Sequence, residues 1–363
     1  MNDAGRDAGV DIGALAGRIA AASADAAAQA QRRLDSKTKP PRSLGRLEDL
    51  ACQLAAIRGA AEPLTTRPAK AIVVMGADHG VAAEGVSAYP QEVTGQMLLN
   101  FACGGAAINV LARQAGARVV VVDMGVAHPP APRPEIRTSA IGPGTANFTR
   151  GPAMSRAQAL QALATGAALA DALVREGIGL VGIGEMGIAN TTSASALAAV
   201  FTGAPPEEVT GRGTGIDDAT FRRKVDVVRR GLDVNRPDGA DAVDALAKVG
   251  GFEIAGLAGV TLGAAAARVP VVVDGFIASV AALAAMRIAP NAAGYLIASH
   301  RSVEAGHRLV LQALGKMPLL DLDLRLGEGT GAALAMPLID AALAIAAEMA
   351  TFESAGVSGA TKA

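Results

Sequence analysis

Two glutamates stand inside glycine-rich turns. RLGEGTGAAL, residues 325–334, holds Glu328 between Gly327 and Gly329, and GIGEMGIANTT, residues 182–192, holds Glu185 just after Gly184 and before Gly187. A turn needs glycine for its backbone freedom, not a charge at its centre. Two carboxylates over one ligand could divide acid–base work from stabilisation of a cationic transition state. Glycosyl transfer, with its oxocarbenium-like transition state, is one reaction class that uses such a pair. The competing reading is structural, because an acid at a helix N-terminus is also favourable electrostatically.

Phosphate has candidate ligands nearby. Gly184, Gly187, Asn190, Thr191 and Thr192 offer backbone amides at a helix start, and TGRGTG (210–215) adds Gly213. Lys224 and Arg212 are the matching counter-charges, the amides acting as an anion nest. Arg222, Arg223, Arg229 and Arg230 read as an exposed helix face. Gly182, Gly184 and Gly187 also spell GxGxxG, with Glu207 or Glu208 downstream as a ribose acid, which opens a nicotinamide-cofactor dehydrogenase reading. Against it, Glu185 falls where a pyrophosphate would sit, and the two would repel. His300, Glu304 and His307 could share a helical face. They match no HExxH pattern, so a solvated face is preferred to a metal site.

Positioning these groups falls to alternating strands and helices. AIVVM (71–75), RVVVVDM (118–124), GIGLVGI (177–183), VPVVVD (269–274) and GYLIAS (294–299) are unbroken apolar runs. Such runs are covered on both faces, which predicts a doubly wound, mainly parallel Rossmann-like α/β sheet. Helices are expected over 96–115, 156–175, 191–201, 218–232 and 276–287. The strands end at Asp78 and His79, Asp123, Gly184 and Glu185, Asp274, and Ser299 and His300, which suggests one shared site at their carboxyl ends. Residues 126–155, rich in Pro and Gly, read as a functional loop or lid.

Composition narrows the class. The chain of 363 residues carries a formal net charge of −1, and 2% of it is aromatic with no Trp. That disfavours charge-driven nucleic-acid binding and base-stacking platforms. Two cysteines, Cys52 and Cys103, without a CxxC suit a reducing cytoplasm. No signal peptide is read at the N-terminus, where Asp3, Asp7 and Asp11 interrupt any apolar segment. The apolar stretches 254–273 and 332–350 contain charged residues and Pro and do not read as membrane spans.

KPPRSLGRLE, ADHGVAAEGVSAYP, GTANFTRGPAMS, GIGEMGIANTT, KVDVVRR, VGGFEIAGLAG, VVVDGFIASVAAL and RLGEGTGAALAMP occur in this order. Together they resemble the nicotinate-nucleotide–dimethylbenzimidazole phosphoribosyltransferase family, from about residue 35 to about residue 350. The resemblance implies transfer of phosphoribose from nicotinate mononucleotide to 5,6-dimethylbenzimidazole by a homodimer with a small helical domain. It implies Glu328 as general base, Glu185 in the same site, and Lys224 with the glycine-rich turn on the phosphate. No cofactor or metal is implied, since the leaving pyridine nitrogen is already cationic and no pyrophosphate departs. The segment 87–100 is expected to line the base pocket through Ser87, Tyr89, Gln96 and Met97, with Leu326 from the GEG arm, while Gly329 of that arm belongs to the expected phosphate-binding set. The expected organisation is a variable leader with a first helix (1–34), a small helical domain (35–65 with 332–363) and an α/β catalytic domain (66–331). The alternative from another class is a non-catalytic nucleotide- or base-binding protein on the same fold.

Overall fold

Six strands form one parallel sheet in a computed structural model that describes residues 10–64 and 66–358. They are β1 (Ala69–Ala77), β2 (Ala117–Gly125), β3 (Ile136–Thr138), β4 (Ile178–Met186), β5 (Val271–Val273) and β6 (Leu296–Ala298), in the order β3-β2-β1-β4-β5-β6. The order reverses between β1 and β4, which is the switch point where ligands bind in sheets of this kind.

The helices in chain order are α1 (Ile12–Arg18), α2 (Ala24–Asp35), α3 (Arg46–Arg58), α4 (Val93–Ala102), α5 (Ala107–Ala115), α6 (Arg156–Arg175), α7 (Asn190–Thr202), α8 (Pro206–Val209), α9 (Asp218–Asn235), α10 (Ala242–Val249), α11 (Phe252–Ala266), α12 (Phe276–Ile288), α13 (His307–Leu314), α14 (Thr330–Glu348) and α15 (Phe352–Ala355).

Successive residues of β1 feed two different cores. Ala71, Val73 and Met75 join the core that includes α6, α11 and α12, while Ile72 and Val74 join the one that includes α3, α5 and α14. This is the period-2 pleat at work, and it explains why the run is apolar throughout. On the first face α11 is buried along nearly its whole length. It meets α6 almost backbone to backbone: a side chain on Gly166 would overlap Gly256 O, and one on Gly259 would overlap Leu163 O. Close helix approach of that kind tolerates no added volume.

The structure differs from expectation in several places. The helix expected over 96–115 is two helices, broken at 103–106 by Gly104 and Gly105, and Gly104 has φ +78°. Strand β3 lies within the expected 126–155 loop, and the rest of that segment is anchored. Ala153 and Met154 donate backbone bonds to Lys248 O and Ala247 O, and Phe148 is buried. Among the described residues three helical stretches reach the length and apolar content of a membrane span: Val93–Ala115, Arg156–Arg175 and Thr330–Glu348. The first is the broken pair, and α6 and α14 lie against α11 and the sheet.

At the N-terminus, α1 joins the first core through Ile12 and Leu15, while α2 and α3 join the second through Leu34, Leu50 and Leu54. The chain crosses between them beside β6, where Tyr295 Oη donates to Ala20 O and Gln53 Nε2 to Leu296 O. Helix α14 touches α2 and α3 and also α5, β4 and β5. Residues 1–9 of the expected leader, and residues 65 and 359–363 of the expected helical domain, lie outside the described residues.

Candidate active site

A cavity of about 340 Å³ opens beyond the carboxyl ends of β1, β4, β5 and β6. Its wall takes Ser87 and Tyr89 from the loop after β1, and Glu185, Gly187, Asn190 and Thr191 from the end of β4 and the start of α7. Gly213 and Thr214 come from the TGRGTG loop, and Arg325, Leu326 and Gly327 from the arm that precedes α14. Phe276, Ile277, His300, Ser302 and Glu304 complete it from the segments after β5 and β6.

Glu328 lies just behind this wall, 6% exposed. Gly327, Glu328 and Gly329 have φ of +85°, +63° and +87°, a run of left-handed residues in which the glutamate is the costly member. What fixes this backbone is Asp274, at the end of β5. Its Oδ2 accepts from Gly329 N at 2.9 Å and its Oδ1 from Gly331 N at 2.7 Å, so it caps α14 directly after the glutamate. Glycine is required on the sheet side as well. A Cβ on Gly329 would lie 2.7 Å from Ile72 Cγ2, and one on Gly184 would run into the backbone of Glu328 and Gly329.

The cap reading posed by the sequence is therefore answered at this turn: Asp274 holds the helix start, and Glu328 Oε2 has no hydrogen-bond partner among the described residues. Burial pushes the Glu328 carboxyl up to about 7, the Ile108 backbone N–H drawing it down and the Asp274 charge adding to the rise. Glu185 is pushed further, to about 8, by burial first, against the Asn190 hydrogen bond and with the Asp274, Glu253 and Glu328 carboxyls adding repulsion. Asn190 Nδ2 donates to Glu185 Oε2 and fixes its direction.

Lys224 projects from the buried face of α9. Its Nζ donates to Thr191 Oγ1 at 2.8 Å and Gly211 O at 3.1 Å, and a Cβ on Gly213 would lie 3.3 Å from it. Burial lowers the ammonium to about 8, with the Glu304 carboxylate opposing. This puts a cation directly behind the cavity's Thr191–Gly213 wall. Thr192 faces inward and is fully buried.

Not every sequence candidate reaches the wall. Gln96 is exposed on α4, and Met97 packs half-buried against the second core, so neither lines the cavity. Asp123 faces a separate cleft with residues 126–143, and residues 126–155 contribute nothing to the site wall. Gly182 and Gly184 are inside β4 rather than in a loop, because helix α14 lies against them. The GxGxxG spelling therefore reflects packing and forms no pyrophosphate turn. No strand precedes Glu328; its arm makes a single bridge, Leu320 to His300.

His300, Glu304 and His307 share no helical face, since α13 begins only at His307. His307 Nδ1 accepts from Ser302 N and its Nε2 meets Ser279 Oγ, and burial drives its pKa down to about 3. Beneath the site His79, buried, joins Glu253 at 2.7 Å and Ser193 at 2.9 Å, a network whose members are too far apart in the chain for spacing to reveal. Arg325 and the capping role of Asp274 were likewise missed; the only signal for the first is its place in the GEG arm.

With the geometry in place, comparison with known proteins is specific. A family profile described as phosphoribosyltransferase matches residues 19–357. The chain is 56% identical over 330 residues to the nicotinate-nucleotide–dimethylbenzimidazole phosphoribosyltransferase of Desulforamulus reducens, covering 91% of this chain and 94% of that protein. It is 58% identical over 329 residues to the protein of the same name from Chloroflexus aggregans, covering 91% and 93%. A crystal structure of the Thermus thermophilus protein of that name superposes with a TM-score of 0.87 at 48% identity, covering 93% of this chain and 100% of the other. The chain belongs to the nicotinate-nucleotide–dimethylbenzimidazole phosphoribosyltransferase family.

Proposed function

We propose that the protein transfers the phosphoribosyl group of nicotinate mononucleotide to 5,6-dimethylbenzimidazole, giving α-ribazole 5′-phosphate and nicotinate with inversion at C1′. The observation that carries this reading is Glu328, a buried carboxylate whose Oε2 has no hydrogen-bond partner among the described residues and whose pKa is raised by burial to about 7. That value suits a base working near neutral pH. One benzimidazole nitrogen gives its lone pair to C1′ while the other loses its proton to Glu328. The C1′–N bond to the pyridinium breaks, and its electron pair returns to the nicotinate nitrogen. A single displacement inverts the β linkage to α.

In this reading Lys224 holds the phosphate through the wall formed by Thr191 and Gly213, aided by the backbone at Gly187 and Asn190; Gly184, inside β4, and Thr192, turned inward, lie off the wall. Ser87, Tyr89 and Leu326 grip the base; Gln96 and Met97 lie off the wall and take no part. Glu185, protonated below about pH 8 in the free protein, ionises when a cationic pyridinium or oxocarbenium centre comes near, because an adjacent positive charge lowers a carboxyl pKa. Division into a 66–331 catalytic domain and a terminal helical domain, a homodimeric state and a cytoplasmic location belong to the same proposal. The two free cysteines support the last.

Incubation with nicotinate mononucleotide and dimethylbenzimidazole, followed by assay of free nicotinate and of the anomer formed, is the test. A non-catalytic binder releases no nicotinate, and a β product contradicts single displacement.

A further inference from the structure

Arg325 is the sole Lys or Arg in the wall of the cavity among the described residues. Several other surface arginines are tied to carboxylates, as Arg212 is to Asp218, Arg229 to Glu207 and Arg301 to Asp321, while Arg223 gives Nη1 to Gly85 O. Arg325 likewise spends Nη1 on a backbone oxygen, Gly213 O at 3.1 Å, and has no ion-pair partner among the described residues. Gly213 is also where Lys224 arrives, its Nζ 3.3 Å from the place of a Cβ. Two cations thus converge on one loop residue. The next residue, Thr214, accepts from Ala88 N at 3.2 Å and ties the same loop to the segment that carries Ser87 and Tyr89.

A guanidinium that gives one N–H to a carbonyl still has donors in a planar fork, which matches a phosphate face. A phosphate dianion facing Lys224 alone would leave net negative charge beside Glu304 and Glu185. Arg325 also stands three residues before Glu328. Downstream the glutamate's turn is fixed by Asp274; upstream it is held by Val303 N donating to Leu324 O at 3.2 Å and by the Arg325 side chain.

Resting on the transfer reaction proposed above, we infer that Arg325 is a second ligand of the substrate phosphate, taking it with the donors left free by the Gly213 bond, and that phosphate occupation, by locking the arm tied there, sets Glu328 in its working position. Phosphate binding energy is then used at the reacting centre as well as for affinity.

The test uses nicotinate riboside, the substrate without its phosphate, with and without added phosphite dianion. In the wild-type protein phosphite raises kcat/KM for transfer to dimethylbenzimidazole tenfold or more. In Arg325→Ala that enhancement falls at least tenfold relative to wild type, guanidinium ion restores part of it, and Arg325→Lys is intermediate. Preference for nicotinate over nicotinamide mononucleotide is unchanged. Equal phosphite enhancement in wild type and Arg325→Ala overturns the inference, as does a wild-type protein that phosphite does not activate. Loss of the nicotinate preference with enhancement retained also overturns it, since Arg325 would then contact the ring carboxylate. A wild-type protein inert towards nicotinate mononucleotide itself brings down the proposed reaction, and this inference with it.

Discussion

Glu185 Oε1 occupies the space into which a side chain on Gly327 would project. The two glycine turns that looked alike in sequence are thus in contact, one acid closing against the residue that precedes the other. Gly327 is also left-handed, at φ +85°, so Gly327→Ala combines strain with overlap. The expected result is loss of turnover by a hundredfold or more with the fold retained, read from steady-state rates and a thermal melt. Near wild-type turnover would show that the two acids need not be in register.

Glu328→Gln keeps size and one acceptor oxygen, so both substrates should still bind. Turnover should fall by roughly a hundredfold to ten-thousandfold, the worth of a positioned general base. In the wild type kcat/KM should decline about tenfold per unit as pH drops below about 7, because protonation removes the base. In Glu328→Gln that acid limb should be absent from the residual rate. A variant with wild-type turnover at saturation would shift the base assignment to Glu185.

Lys224, lowered to about 8 by burial, keeps its charge below that pH and loses it above. Affinity for nicotinate mononucleotide should therefore weaken on the alkaline side, measured calorimetrically between pH 7 and 9.5. Dimethylbenzimidazole affinity should not follow. Lys224→Ala should cost the nucleotide about ten- to a hundredfold in Kd, the usual span for a hydrogen bond to a charged group. Equal losses for both ligands would remove Lys224 from the phosphate site.

Acids raised by burial also make the free protein pH-sensitive. From about pH 4.5 the folded state holds protons that the unfolded chain has released, on Glu328 up to about pH 7 and on Glu185 up to about pH 8, so stability falls as pH rises through that window. Thermal melts should drop by about a few °C from pH 5 to pH 8, and Glu185→Gln should flatten the slope. An unchanged slope in that variant would mean that Glu185 is not the group responsible.

How far the sequence reveals these features depends on the kind of contact. β1 and β4 are legible because both of their faces are buried, which leaves an unbroken apolar run, and β2 because its second half is buried and its half-covered first half is still Val-rich. β3 is not, since two of the three residues in Ile136–Thr138 are exposed at a sheet edge. Glu328 is legible because a charge between two glycines is anomalous. Asp274 as the cap of α14, 55 residues away, and His79 with Glu253, 174 residues away, are made by topology, and no local spacing encodes them. Gln96 shows the converse: its helix lies next to the site, but its position on that helix points it to solvent.

Helix α14 has a consequence for the order in which the protein can be built. Lys70, at the start of β1, pairs with Asp340 on α14, made 270 positions later, and the same helix covers Ile72, Val74 and Leu180. Helices α3, α4 and α5 can cover part of that face early, but the portion under α14 stays bare until Asp340 has been made, a long-range closure that slows folding and leaves an intermediate prone to aggregate. The helix that finally roofs the sheet also carries Glu328 at its leading turn. The proposed base and the last wall of the core therefore arrive together, and a nascent chain with an open sheet has no Glu328 in place to act.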